Sequence, residues 1–205
     1  ARLVSPWTDA EPLTFRNTVR REEDRLRVSV MPGLLAVKRT NLSRGVDRVK
    51  LFEITKVYLP RAGGKLPEER RVLALLNEEG MLELKGAVEG VIEAMRAAGR
   101  IAFEALADGF FEPGMAAQVM LDGERVGVLG QASRAVAARY DLRRPPFLAE
   151  LDFDRLARAA QLEVKYRRLP AFPASERDLA VVVDEGVTWA EIGRASCRER
   201  VFAVV

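Results

Sequence analysis

Three carboxylate pairs, Glu22 with Glu23, Glu78 with Glu79 and Asp152 with Asp154, are the first residues suited to general acid/base work. Carboxylates this close in sequence usually face solvent, and none of the pairs lies beside a stretch that reads as a pocket. Gly63-Gly64-Lys65 sets two glycines beside a lysine, as a phosphate cradle does. The P-loop spacing is absent, so the segment reads as a hairpin tip. Arg158, Lys165, Tyr166, Arg167 and Arg168, with Arg177 beyond, form a basic and aromatic cluster able to meet phosphate. By residue type alone, a snorkelling strand edge and linker explains the cluster more simply. The chain has no histidine, which removes His-dependent zinc sites, Ser-His-Asp and Cys-His nucleophiles and histidine proton transfer.

The elements that would have to position such groups belong to an ordinary folded chain. Of 205 residues, 48% are hydrophobic and 31% charged, which argues for a packed core and against disorder. No apolar run approaches the roughly 20 residues of a membrane span. The start lacks both an initiator Met and a signal peptide, and reads as internal to a longer protein. Net charge is +3, but Arg194, Arg198 and Arg200 against Glu199 put +2 of it after Ile192. That leaves no electrostatic footprint for nucleic acid. The lone cysteine, Cys197, excludes a disulfide framework and points to a reducing compartment.

The stretch from Val46 to Leu59 reads as a long, mostly buried strand around which the rest is arranged. It follows a helix over Val30–Ser43 that places Met31, Leu34, Leu35, Lys38 and Leu42 on one face. A return strand spans Arg71–Asn77. A helix over Leu82–Ala98 carries Leu84, Val88, Val91, Ile92 and Met95 on one face and stops at Gly99. Gly86 and Gly90, four apart, predict a close backbone approach. Strands follow over Ile101–Leu106, Ala117–Leu121 and Arg125–Leu129, the last two joined by the hairpin pair Asp122-Gly123. Gly109–Gly114 reads as an aromatic turn, Ser133–Tyr140 as a short helix and Phe147–Phe153 as a last strand. Strands linked by hairpins and flanked by helices give an α+β class with a mainly antiparallel sheet.

A family resemblance runs through these elements. Arg27-Val28-Ser29-Val30-Met31-Pro32-Gly33-Leu34-Leu35, then Asn41-Leu42, then Leu51-Phe52-Glu53-Ile54, resemble the beta subunit of bacterial phenylalanyl-tRNA synthetase. In the same order come Leu84-Lys85-Gly86, Pro113-Gly114, the glycines at 123, 127 and 130, Tyr140-Asp141-Leu142 and Glu150-Leu151. Arg177-Asp178-Leu179 before an apolar run resembles the opening of that family's ferredoxin-like anticodon-binding domain. There are two departures: Glu112 and Ala132-Ser133-Arg134 stand where the family often has histidine, and from Ile192 the run reads as an artefactual tail.

The resemblance implies residues 1–163 as a class II aminoacyl-tRNA synthetase-like core in a non-catalytic copy. It implies residues 164–191 as the linker and incomplete start of the ferredoxin-like domain, with 192–205 outside the family pattern. It implies no catalytic, cofactor-binding or metal residue in this chain. Of the class II signatures, Glu53 has no arginine before it in its strand, and Gly127–Gly130 with Arg134 matches a short strand and a surface arginine as well. A cytoplasmic heterotetramer is implied, in which the alpha subunit attaches phenylalanine to tRNA(Phe) with ATP and magnesium. Met31, Leu34, Leu35 and Leu42 are the residues expected at the subunit interface, and Lys165, Arg167 and Arg168 those expected on RNA. A stand-alone protein-interaction or RNA-binding module on the same fold is the alternative. An independent enzyme is disfavoured by the missing arginines and histidines.

Overall fold

Hairpin chemistry sets most of the strand order. The computed structural model describes residues 7, 9–17, 24–64, 66–161, 163, 180–189, 191–193 and 195. Six strands, β1 (Leu51–Leu59), β2 (Glu68–Asn77), β3 (Ile101–Ala105), β4 (Phe111–Leu121), β5 (Glu124–Ala132) and β6 (Phe147–Asp152), form one sheet in the order β1-β2-β6-β5-β4-β3. Every pairing is antiparallel. β4 turns into β5 through Asp122 (φ 50°) and Gly123 (φ 81°), the left-handed pair that a two-residue hairpin requires. β1 turns into β2 through a short 3-10 turn, Ala62–Gly64. The one insertion is β6, which enters between β2 and β5 and makes the sheet continuous.

β1 is therefore an edge strand and not the centre, and it begins at Leu51 rather than Val46. One of its faces is covered; the other leaves Phe52 72% and Ile54 49% exposed. Its apolar content matches that of a buried strand, and only the order of the sheet reveals the difference. The central strand is β6, buried from Leu148 to Asp152, because helices cover both of its faces.

Helices α1 (Met31–Ser43) and α3 (Arg134–Arg139) lie on one face, where Met31, Leu34, Leu35, Val136 and Ala137 pack with Val57, Val72, Leu76, Val128 and Leu148. Helices α2 (Met81–Ala94) and α4 (Phe153–Ala159) cover the other. There Leu84, Val88, Ile92 and Leu156 meet Leu73, Val119, Leu129, Ala149 and Leu151. α4 is absent from the sequence reading, which runs the last strand through Phe153. The strand stops one residue earlier because Asp152 accepts a hydrogen bond from the Arg155 amide (2.9 Å) and caps the helix. α2 ends at Ala94 and not at Ala98, since Arg96 turns left-handed (φ 49°) and Ala97 bridges to Ala160. The predicted aromatic turn is mostly strand: Phe111 begins β4, with a register shift before Ala116.

The glycines also divide differently from expectation. Gly86 and Gly90 are exposed, and a Cβ added to either would meet nothing within 4 Å, so no backbone approaches them. Close approach occurs at Gly127 and Gly130. A Cβ on Gly127 would press on Leu151 and stand 2.8 Å from the Glu150 carbonyl oxygen; one on Gly130 would stand 2.7 Å from the Met115 carbonyl oxygen and the Phe111 ring. The glycines of β5 are packing residues.

The chain divides into two compact units, Ala1–Val164 and Lys165–Val205. In the second, the Thr188 amide and hydroxyl donate to the Glu191 carboxylate (2.8 and 2.7 Å) at the start of a helical turn. Ala180–Val183, read as part of an apolar strand, join no ladder, and Val181, Val182 and Val183 are exposed. The Arg177-Asp178-Leu179 opening and the rest of residues 164–179 lie outside the described residues.

Gly127→Ala is expected to lower stability by about 1–3 kcal/mol through overpacking. Gly86→Ala is expected to raise it by about 0.5–1 kcal/mol through helix propensity. Urea unfolding of both variants measures the contrast.

Candidate functional site

α1 starts without a cap of its own. Its N-cap residue is Val30, whose side chain accepts nothing, and its first turn has no acidic residue. The Val30 amide would be an orphan donor inside the core, and the Met31 amide would have only the Ser29 hydroxyl at 3.3 Å. Glu150, in the middle of β6 and with no exposed surface, supplies the acceptor. Its Oε2 accepts from the Val30 amide (2.7 Å), the Met31 amide (3.2 Å) and the Ser29 hydroxyl (2.9 Å). Its Oε1 accepts from the indole N–H of Trp7. A carboxylate at a helix N-terminus also meets the positive end of the helix dipole. Burial pushes the Glu150 carboxyl above its ordinary 4.5; the four donors pull it back, and the net direction is upward.

Arginines frame this centre. The guanidinium of Arg70 lies 5.4 Å from the Trp7 ring centroid and that of Arg125 lies 5.9 Å from it. Arg70 is held by Glu68 (2.6 Å) and Asp152 (3.5 Å), and Arg155 by Glu124 (3.0 Å) and Asp152 (3.4 Å). Arg125 reaches the Trp7 side through a β-bulge. Met120 pairs with Arg125 while Val119 pairs with Gly127, so Val126 is the extra residue. Val126 joins the α2/α4 core and the strand's alternation reverses before it. Burial holds the Arg125 guanidinium below its ordinary value, with Asp108 opposing. A general base needs a lone pair that a substrate can reach. Glu150 is covered and bound by its own chain, and what the arrangement does is dock α1 on the sheet.

The sequence-derived candidates are dispersed. Glu78 pairs with buried Lys38 (2.6 Å) and accepts from the Val49 amide (3.1 Å), while Glu79 pairs with Lys50 (2.7 Å). Asp152 caps α4, and Asp154 accepts from the Arg71 amide (2.9 Å) and guanidinium (2.7 Å). Glu22, Glu23 and Lys65 lie outside the described residues, as do Lys165, Tyr166, Arg167, Arg168 and Arg177. Arg158 sits in the last turn of α4. Arg134 is exposed at the first turn of α3, whose cap is Ser133. Met31, Leu34 and Leu35 are at most 3% exposed and Leu42 is half-buried against them, so the chain's own core uses this face. The exposed side of α1 carries Ala36, Val37, Arg39 and Thr40. A cleft of about 840 Å³ beside α1 is lined by Arg48, Arg143 and Arg144 together with Asp47, Glu79 and Glu83, charges of both signs.

Sequence reasoning missed Trp7, Ser29 and Glu150. A legible signal existed for Glu150, the one charge within the apolar run Phe147–Leu151. The raised Glu150 carboxyl gives a stability contribution that is full below about pH 4.5 and is lost as pH rises through its folded value. Glu68 and Asp154, both held below their ordinary values by arginine partners or amide bonds, act in the opposite sense and lose their contribution as pH falls. Glu150→Gln is expected to abolish the decline above pH 4.5 in urea midpoints while keeping the low-pH limb. An unchanged slope would assign the decline to another group.

The family description "Phenylalanyl tRNA synthetase beta chain CLM domain" matches residues 3–153. The phenylalanine–tRNA ligase beta subunit of Clostridium tetani is 33% identical over 181 residues, 87% of this chain and 23% of that protein. That of Aromatoleum aromaticum is 32% identical over 197 residues, 90% of this chain and 25% of the relative. The chain thus spans about a quarter of the length of these relatives. Among solved structures, a pyrrolysyl tRNA synthetase of Desulfitobacterium hafniense superposes with a TM-score of 0.51 at 19% identity, covering 64% of this chain and 48% of that one. That likeness is one of fold, a synthetase-like antiparallel sheet with helices on its faces. With a family match over residues 3–153 and relatives more than 30% identical across most of its length, the chain belongs to the phenylalanyl-tRNA synthetase beta chain family.

Proposed function

We propose that this chain is the catalytic-like part of a phenylalanine–tRNA ligase beta subunit and serves as a packing partner, with the chemistry carried out on an alpha subunit. The observation that carries this reading is the filled sheet centre. Glu150 takes four hydrogen bonds from this chain's own donors, one of them from Trp7, whose ring centroid has two guanidiniums within 6 Å. Among the described residues no three acidic, histidine or cysteine side chains gather to hold a metal ion. The nearest carboxylates, Glu150 and Asp152, are already taken by amides and arginines, so this donor set does not fit magnesium. ATP, magnesium and phenylalanine would then bind on the alpha subunit. The name "beta subunit" carried by the relatives supports such a partner.

Contact with tRNA(Phe) through Lys165, Arg167 and Arg168, and an anticodon-binding domain beyond them, belong to the same proposal, as does a cytoplasmic heterotetramer. No helix among the described residues is long and apolar enough to cross a membrane. The surface proposed for the alpha subunit is the open face of β1 on the α2 side of the sheet, where Phe52 and Ile54 expose apolar area. This replaces the inward face of α1.

Co-expression with the matching alpha subunit, followed by sizing, tests the reading. Phe52→Asp with Ile54→Asp is expected to weaken assembly roughly tenfold or more at unchanged melting temperature. Leu34→Asp with Leu35→Asp is expected to unfold the chain itself, since each buries a charge. Intact assembly of the first variant would overturn the surface. ATP–pyrophosphate exchange by this chain alone would overturn the division of labour.

A further inference from the structure

We propose that the sheet face over Glu150 is a slot for a planar heteroaromatic ring bearing an N–H donor, and that Trp7 is its built-in occupant. The slot rests on the closed-centre reading and deepens it, naming what closes the centre and what else would fit there.

Three observations converge. Trp7 lies 143 residues from Glu150 in sequence and outside every helix and strand, yet its indole N–H bonds the buried Oε1. Its ring lies within cation–π range of two guanidiniums, Arg70 at 5.4 Å and Arg125 at 5.9 Å. The walls are built without it: Glu150 is set by β6 and tied to α1, Arg70 is held by Glu68 and Asp152, and Arg125 is directed by the bulge at Val126. Removing the ring should therefore leave a formed slot with one acceptor at its floor and two cations beside it.

Those groups define the ligand. A carboxylate oxygen at the floor selects a ring that donates a hydrogen bond. Guanidinium groups beside a ring favour a flat, electron-rich face. Indole and purine bases share that chemistry; a flat ring without N–H meets only the second requirement and leaves Oε1 short of a donor.

The experiment compares wild type with Trp7→Ala in thermal unfolding with added indole, adenine or benzothiophene, the last being indole-shaped with no N–H. Indole is expected to raise the melting temperature of Trp7→Ala by about 3–6 °C at ten times its Kd, and to leave wild type unmoved. Benzothiophene is expected to bind at least roughly tenfold more weakly. Adenine binding would extend the slot to purines; indole alone would restrict it to indole rings, and either result supports the slot. If Trp7→Ala does not fold, indole during refolding is expected to restore a cooperative transition, and its failure to do so would overturn the proposal. Equal effects of benzothiophene and indole, or no effect of indole on folded Trp7→Ala, would also overturn it. ATP–pyrophosphate exchange by wild type would defeat the closed-centre reading while leaving these ring-binding results to stand by themselves.

Discussion

Two amides at the start of α1 and one carboxylate in the middle of β6 need one another. The helix begins at a valine and a proline, so its N-cap side chain accepts nothing, and Ser29 gives the Met31 amide only a long bond (3.3 Å). A glutamate in the central strand, between apolar neighbours and under a helix, has no water to solvate it. Each is a serious defect alone, and joined they satisfy each other. The contact fixes where α1 lands, and the rest of the helix takes its place accordingly. Leu34 and Leu35 drop into the core of the same sheet face, and Lys38 reaches Glu78 at the end of β2. Glu78 in turn holds the Val49 amide just ahead of β1. A chain of satisfied polar groups thus runs from the sheet centre to its edge along one helix.

The same contact bears on function. A sheet that handles a charged substrate keeps some of its charges open. Here Glu150 faces four of its own donors, Asp152 is divided between a helix cap and two arginines, and Trp7 lies over the middle. The large apolar side chains left exposed on these elements include Phe52 and Ile54 on the edge strand and Val37 on α1. Charges at the sheet centre serve attachment within the chain.

Much of the fold was legible because hairpin and helix signals are local. Asp122-Gly123 fixes a turn through backbone sterics alone, and the spacing of Leu84, Val88 and Ile92 marks a buried face wherever that helix is put. Position within the sheet was not legible. The edge strand β1 and the central β6 have similar apolar content, and they differ through the insertion of β6 between strands far apart in sequence. The glycines misled for a related reason: Gly86 and Gly90 have a suggestive spacing and no neighbours, while Gly127 and Gly130 are hemmed in by strands that sequence cannot place. The site was least legible of all. Trp7, Ser29 and Glu150 meet across more than a hundred residues; Ser29 and Glu150 stand in the family motifs and Glu150 is an isolated charge in the last strand, but nothing in the sequence joins them to Trp7.

Amide hydrogen exchange at Val30 and Met31 tests the central contact most directly. Uncapped helix starts fray, and their amides exchange by small local openings. With Glu150 as acceptor, both amides should exchange only through global unfolding, as slowly as those of Leu148 and Leu151, and Glu150→Ala should release them selectively. Fast exchange of the two amides in the intact protein, at rates typical of a frayed end, would contradict the docking of α1 by Glu150.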